Sequence, residues 1–195
     1  MANLITLEEY KEAEGISTPK EDLKLSALIP SVSQLVKTYC NSSFVDYYST
    51  NKVETISLNY NTEVIQLSES PVTSIVSVTE RVSYGSAYTT LTTAAYQYFL
   101  DTDTDSLFRT TSGGRKNWAT GPGAVVVTYK AGYATVPGDL KLAVFDLLTY
   151  YHKNEYKERK VMAGASIQNA STTSQSNNVS FPDHIKRVLD LYKNF

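Results

Sequence analysis

The chain has 195 residues, 42% of them hydrophobic and 19% charged, and its 18 Lys+Arg against 20 Asp+Glu leave a net charge of −2. This composition excludes an intrinsically disordered chain, and the length is enough to bury a core without staples. A near-neutral chain carries no electrostatic footprint for gripping nucleic acid or an anionic membrane. No run approaches the ~18 consecutive apolar residues of a membrane helix. The opening MANLITLEEYKEAEG lacks the charged-then-apolar plan of a signal peptide. A lone cysteine, Cys40, cannot form an internal disulfide and fits a reducing compartment. Tyrosine stands out, at 15 residues against 1 Trp and 6 Phe. Being amphipathic and enriched at contact surfaces, it leans the composition towards an assembling protein.

In chain order, Thr6-Leu7-Glu8-Glu9 predicts a capping box and a short helix that stops at Gly15. Thr18-Pro19-Lys20-Glu21 repeats the device, and Leu25, Leu28, Ile29, Val32, Leu35, Val36 and Tyr39 follow at helical spacing. Pro30 interrupts that run and predicts a helix that survives but bends. From about Val53 to Tyr129 the period changes to 2, punctuated by Pro71, Tyr84-Gly85-Ser86, Ser112-Gly113-Gly114 and Gly121-Pro122-Gly123. About five to seven short strands are expected there, in a small antiparallel sheet or barrel-like insert.

Helical signals return after Val136-Pro137-Gly138-Asp139: Leu140, Ala143, Val144, Leu147 and Tyr151 form one stripe, widened by Phe145 and Leu148. His152 to Lys160 is strongly charged, and Ala163 to Ser180 carries no charged residue and almost nothing large to bury. The expected architecture is α+β: a small helical bundle of about four helices with an antiparallel β insertion between the second and third. Residues 1–162 would form that single domain, with the insertion at about 50–130, followed by a flexible tract at 163–180 and a C-terminal docking helix at 181–195. In that last helix Phe181, Ile185, Val188, Leu189, Tyr192 and Phe195 make one continuous apolar stripe, the candidate surface for a partner or neighbouring subunit.

No catalytic set can be built. His152 and His184 lie far apart in sequence without a nucleophile motif, and Cys40 ends a helix as a small hydrophobe. Asp101, Asp103 and Asp105 match the first three ligands of a calcium loop. However, the sixth position is Ser106 instead of Gly and the twelfth is Ser112 instead of Glu, so a polar hairpin turn accounts for them as well. Ser112-Gly113-Gly114-Arg115-Lys116 lacks phosphate-loop spacing, and Lys153, Lys157, Arg159 and Lys160 are interleaved with Glu155 and Glu158, which favours a solvated face. Trp118 and the tyrosines could stack bases, but sheet packing needs no further cause. No enzyme activity, cofactor or metal is expected.

Several passages carry a resemblance: LITLEEYKEAEGI, EDLKLSALIPSVSQLVKTYCNSSF with its Tyr39-Cys40 pair, LSESPVTSIVSV, VVVTYKAGYATVPGDLKLAVFDLLTYY with a Tyr-x-x-Gly-Tyr turn, and VSFPDHIKRVLDLYKNF. Together they resemble the head-to-tail connector (adaptor, or head-completion) proteins of long-tailed bacteriophages. The resemblance implies a structural virion protein, assembled in the host cytoplasm and sited in the neck between capsid and tail. It implies a ring of about twelve copies under the portal protein, the cyclic closure typical of homo-oligomers. Its other partners would be a downstream stopper or tail-terminator protein and genomic DNA that passes through the lumen without specific binding; no membrane is involved. Two alternatives remain open at this point: another tail or neck protein such as a tail terminator, and a DNA-binding accessory protein using the 113–116 and 153–160 basic groups.

Overall fold

The computed structural model describes residues 2–154 and 181–193. The chain divides into two compact units, a helical one of Met1–Ser42 with Val136–Phe195 and a β-rich one of Ser43–Thr135. The tract at 163–180, the charged stretch from 155 to 160 and Phe195 lie outside the described residues.

In the helical unit, α1 spans Leu7–Glu14. Its capping box forms, with the Glu9 amide donating to the Thr6 hydroxyl at 3.2 Å and the Thr6 amide donating to the Glu9 carboxylate at 2.8 Å. Gly15 closes the helix in the left-handed conformation that glycine adopts without penalty. The second predicted capping box does not form. Helix α2 runs Asp22–Cys40 and has Glu21 at its start with no side-chain cap. The acidic side chains that a first turn would draw on are engaged elsewhere: Asp22 pairs with Lys11 at 2.7 Å, and Glu21 lies 3.5 Å from His152. α2 continues through Pro30, and the Ser31 hydroxyl donates to the Ala27 carbonyl at 3.1 Å. Helices α3 (Gly138–His152) and α4 (Asp183–Asp190) complete the unit, with α3 against α2 and α4 against both. Leu25, Ile29, Val36, Leu140, Val144, Leu147, Ile185 and Leu189 supply its core.

The β-rich unit holds eight strands among the described residues: β1 (Lys52–Leu58), β2 (Val64–Gln66), β3 (Val72–Glu80), β4 (Thr89–Leu91), β5 (Tyr98–Asp101), β6 (Ser106–Thr111), β7 (Gly114–Arg115) and β8 (Gly121–Ala131). They form two antiparallel sheets, ordered β1-β8-β3-β4 and β2-β6-β5, with β7 paired to β6. This corrects the expected fold class. The segment between α2 and α3 is not one insertion decorating a helical bundle; it is a second unit with two sheets, so the α+β arrangement has two parts of comparable standing. The reason is its own core: Val78, Leu107, Trp118, Val125, Val127 and Tyr129, all at 2% exposure or less, pack together without needing a helix to cover them. Trp118 is thereby withdrawn from any role as an exposed stacking platform.

Polar clasps tie the sheets. Arg109 on β6 donates through Nε and Nη2 to the Glu80 carboxylate on β3 at 3.1 and 3.0 Å, and the Ala119 amide donates to the same carboxylate at 2.7 Å. Tyr129 donates to Glu54 at 2.7 Å and accepts from the Glu69 amide at 3.2 Å, while burial pushes its phenol up. At the end of β8, Gly132 has φ +98, and a Cβ there would lie 2.0 Å from the Phe44 carbonyl oxygen. That carbonyl accepts from the Tyr133 amide at 2.7 Å. The glycine of the Tyr-x-x-Gly-Tyr turn is therefore required by close backbone approach.

Candidate interaction surfaces

The predicted stripe of α4 is covered within its own unit. Phe181, Ile185 and Leu189 are 2%, 1% and 0% exposed, and Val188 and Tyr192 are half-buried. The Phe181 ring meets Tyr39 edge-on at 4.9 Å, the Cys40 thiol donates to the Leu189 carbonyl at 3.5 Å, and Tyr192 donates to Asp139 at 2.6 Å. The helix is held from both sides, since the Tyr39 hydroxyl also donates to Asp190 at 2.6 Å. Burial and the nearby Asp190 charge push the Cys40 thiol up to about 12, so it is an inert core group. The hydrogen bond from Tyr192 holds the Asp139 carboxyl below its ordinary value. Exposed along α4 are Asp183, His184, Lys186, Arg187 and Asp190, with Leu191 just past its end.

The three aspartates separate into two roles. Asp101 accepts from the Asp103 amide at 3.1 Å and from the Thr104 hydroxyl at 2.8 Å, a local turn that uses both its oxygens. Asp105, with φ 52, reaches back to accept from the Ser70 hydroxyl and the Val72 amide, both at 2.6 Å. Its carboxylate thus pins the entry to β3. Among the described residues no group of three or more His, Cys, Asp or Glu is placed to hold a metal ion. Arg115 on β7 lies 3.6 Å from Glu63, which halves the positive charge of the 113–116 turn.

Sequence reasoning missed the surface that stands out most. In the β-rich unit Tyr60, Val82, Tyr84, Tyr96 and Phe99 are 59–84% exposed. Residues 82–90, the β3–β4 hairpin tip, are exposed throughout, and Val82 to Tyr88 carries no charge. Its root is fixed by Arg81, whose guanidinium lies 4.8 Å from the Tyr84 ring and 5.0 Å from the Tyr88 ring and donates to the carbonyls of Tyr84 and Pro122. Tyr88 donates to the Gly123 carbonyl at 2.6 Å. A groove of about 600 Å³ opens along the β5 edge, lined by Ile75, Tyr96, Tyr98, Phe99, Thr110 and Thr111 among others, none of them charged. The Tyr-rich composition was the available signal, but it could not separate buried Tyr10 and Tyr129 from exposed Tyr84 and Tyr96.

The described residues form a two-unit α+β protein with exposed aromatics; among them no group is placed to hold a metal ion and no helix is long and apolar enough to cross a membrane. Residues 3–195 match the family described as Head completion protein, and the chain belongs to that family. Membership makes it a head completion protein, a structural component of a phage-like particle. A head completion protein of Escherichia phage T5 is 28% identical over 64 residues, which span 33% of this chain and 35% of that protein. Solved structures share the fold. A chain in the neck of an empty gene transfer agent (GTA) particle, computed with C6 symmetry, is 17% identical with a TM-score of 0.59, covering 98% of this chain and 90% of that one. A chain in the native GTA neck, computed with C12 symmetry, is 16% identical with a TM-score of 0.58, covering 100% and 96%. A chain of the native GTA virion is 17% identical with a TM-score of 0.60, covering 98% and 90%.

Proposed function

We propose that this protein is a head-to-tail adaptor: copies form a ring beneath the portal protein and present a platform to the next connector or tail component. The observation that carries the reading is the family match over nearly the whole chain. A ring of about twelve is supported by the twelvefold symmetry of one similar neck, and cyclic closure is the usual outcome of repeated heterologous contacts. The protein acts structurally and not as an enzyme, its polar clusters being engaged in clasps. Genomic DNA passes through the lumen without specific binding; a net charge of −2 suits a channel that must not retard its cargo. The part of α4 in portal docking falls to its outward residues His184, Arg187 and Leu191, because the apolar stripe is covered. Negative-stain microscopy of the protein mixed with its portal tests the reading: a second ring on the narrow end is expected, and binding to tail-tube protein instead would overturn it. Within that experiment, R187E/L191A is expected to weaken portal capture without changing the melt.

A further inference from the structure

We propose that the β3–β4 hairpin tip of one copy seats in the aromatic groove beside β5 of a neighbouring copy, a knob-and-hole contact that repeats around the ring. The inference rests on the ring reading for its second copy and adds the surfaces that meet. Three observations carry it. First, the tip is an exposed apolar knob, with Val82 84% and Tyr84 73% exposed. Second, it is pre-organised: Arg81 sits between two tyrosine rings with its guanidinium bonded to two carbonyls, so little ordering entropy remains to be lost on docking. At Gly123 a Cβ would come 2.9 Å from Arg81 Nη2, so glycine there leaves the guanidinium its space. Third, the two surfaces match in charge. The groove lining is uncharged, Val82 to Tyr88 is uncharged, and the one cation at the root is already engaged. An uncharged groove with Tyr96 67% and Phe99 59% exposed penalises a charged occupant and accepts a tyrosine-bearing one.

The tip and the groove are different patches of the same unit, so the contact is heterologous and propagates from copy to copy. With Tyr84, Tyr96 and Phe99 as the exposed aromatics of the two patches, ~150–250 Å² for each gives about 450–750 Å², below the ~1,000 Å² of a stable free interface. Copies should therefore stay apart in dilute solution and meet when the portal arrays them.

The test uses the full chain carrying a photo-reactive residue at position 84, mixed with isotopically labelled copies and bound to portal. Adducts between differently labelled copies within residues 93–100 or 110–111 are expected; adducts elsewhere, or none, overturn the contact. In parallel, Tyr84→Asp and Phe99→Asp should each lower ring occupancy about tenfold, the loss typical of an interface aromatic, while Tyr84→Phe should not. Rings that form normally with both aspartate variants sink this inference and leave the adaptor reading standing. Absence of any ring with the wild-type chain sinks the adaptor reading, and the cross-links between concentrated free copies then decide the contact alone.

Discussion

The two units use their hydrophobic residues in opposite ways. In the helical unit the apolar faces are turned against one another: the α4 stripe covers α2 and α3, and among the described residues Leu23, Leu142 and Leu191 are the large apolar side chains left to solvent. The β-rich unit closes a core between its sheets and still shows aromatics at a hairpin tip and a groove. A short helix such as α4 is marginal by itself, so its stripe must be covered for it to exist. A sheet is held by its ladder and has two faces and two edges, so one side can remain available for a partner. Amphipathic pattern therefore marks self-packing here, and the exposed aromatics of the β-rich unit mark the surface it leaves uncovered.

The sharpest way to break the comparison is at Gly132, where the β-rich unit depends on backbone. Gly132→Val should cost more than ~4 kcal/mol, since the new Cβ falls on the Phe44 carbonyl and no side-chain rotation relieves it. A cooperative melt within a few degrees of wild type would refute that. Next is the inter-sheet clasp. Arg109→Ala should destabilise by about 3–5 kcal/mol by stranding the Glu80 carboxylate, and Arg109→Met/Glu80→Leu together should recover much of it. Chemical denaturation of the two variants, compared as a cycle, measures this.

For the helical unit, Leu189→Ala should cost about 2–4 kcal/mol, and removal of Val179–Phe195 should expose the α2–α3 surface and produce aggregation. A truncated chain with an unchanged melt would instead return α4 to the role of a detachable docking arm. A smaller effect depends on pH. Burial pushes Cys40 and Tyr39 up to about 12, from ordinary values of 9.0 and 10.0, so folding favours their protonated, neutral forms. Their contribution is fully present below about pH 9 and is lost as pH rises towards 12. The melting temperature should fall across that window, and less steeply in Cys40→Ala. Smallest of all, calcium should leave the wild-type melt unshifted. Asp105→Asn should cost about 1–2 kcal/mol through the Ser70 and Val72 hydrogen bonds, and Asp101→Asn less. A calcium-dependent rise of several degrees would reverse the reading of these residues as turn and clamp.

Local features were legible in the residues themselves. The Thr6–Glu9 capping box, the stop at Gly15, the persistence of the second helix through Pro30, the period-2 stretch and the passage around Gly132 all depend on groups within a few residues of each other. The family was legible for the same reason, because its passages are short runs of such local signals. What tertiary structure alone decided depends on who lies opposite. Thr18 and Glu21 carry a capping signature, but the helix starts at Asp22 with Glu21 as its N-cap, where Asp22 pairs with Lys11 and Glu21 lies beside His152. Among the described residues eight strands form two sheets, and the pairings that join them are long-range: β1 meets β8 across some seventy residues of sequence, placing Lys52 opposite Tyr129. The α4 stripe looked the same whether bound for a portal or for its own bundle, since periodicity shows that a face must be covered and not by what. Tyr84 and Tyr129 are one residue type, the first at the β3–β4 hairpin tip and the second on β8. Only the packing of two sheets buries one against Glu54 and leaves the other stacked on Arg81 in solvent.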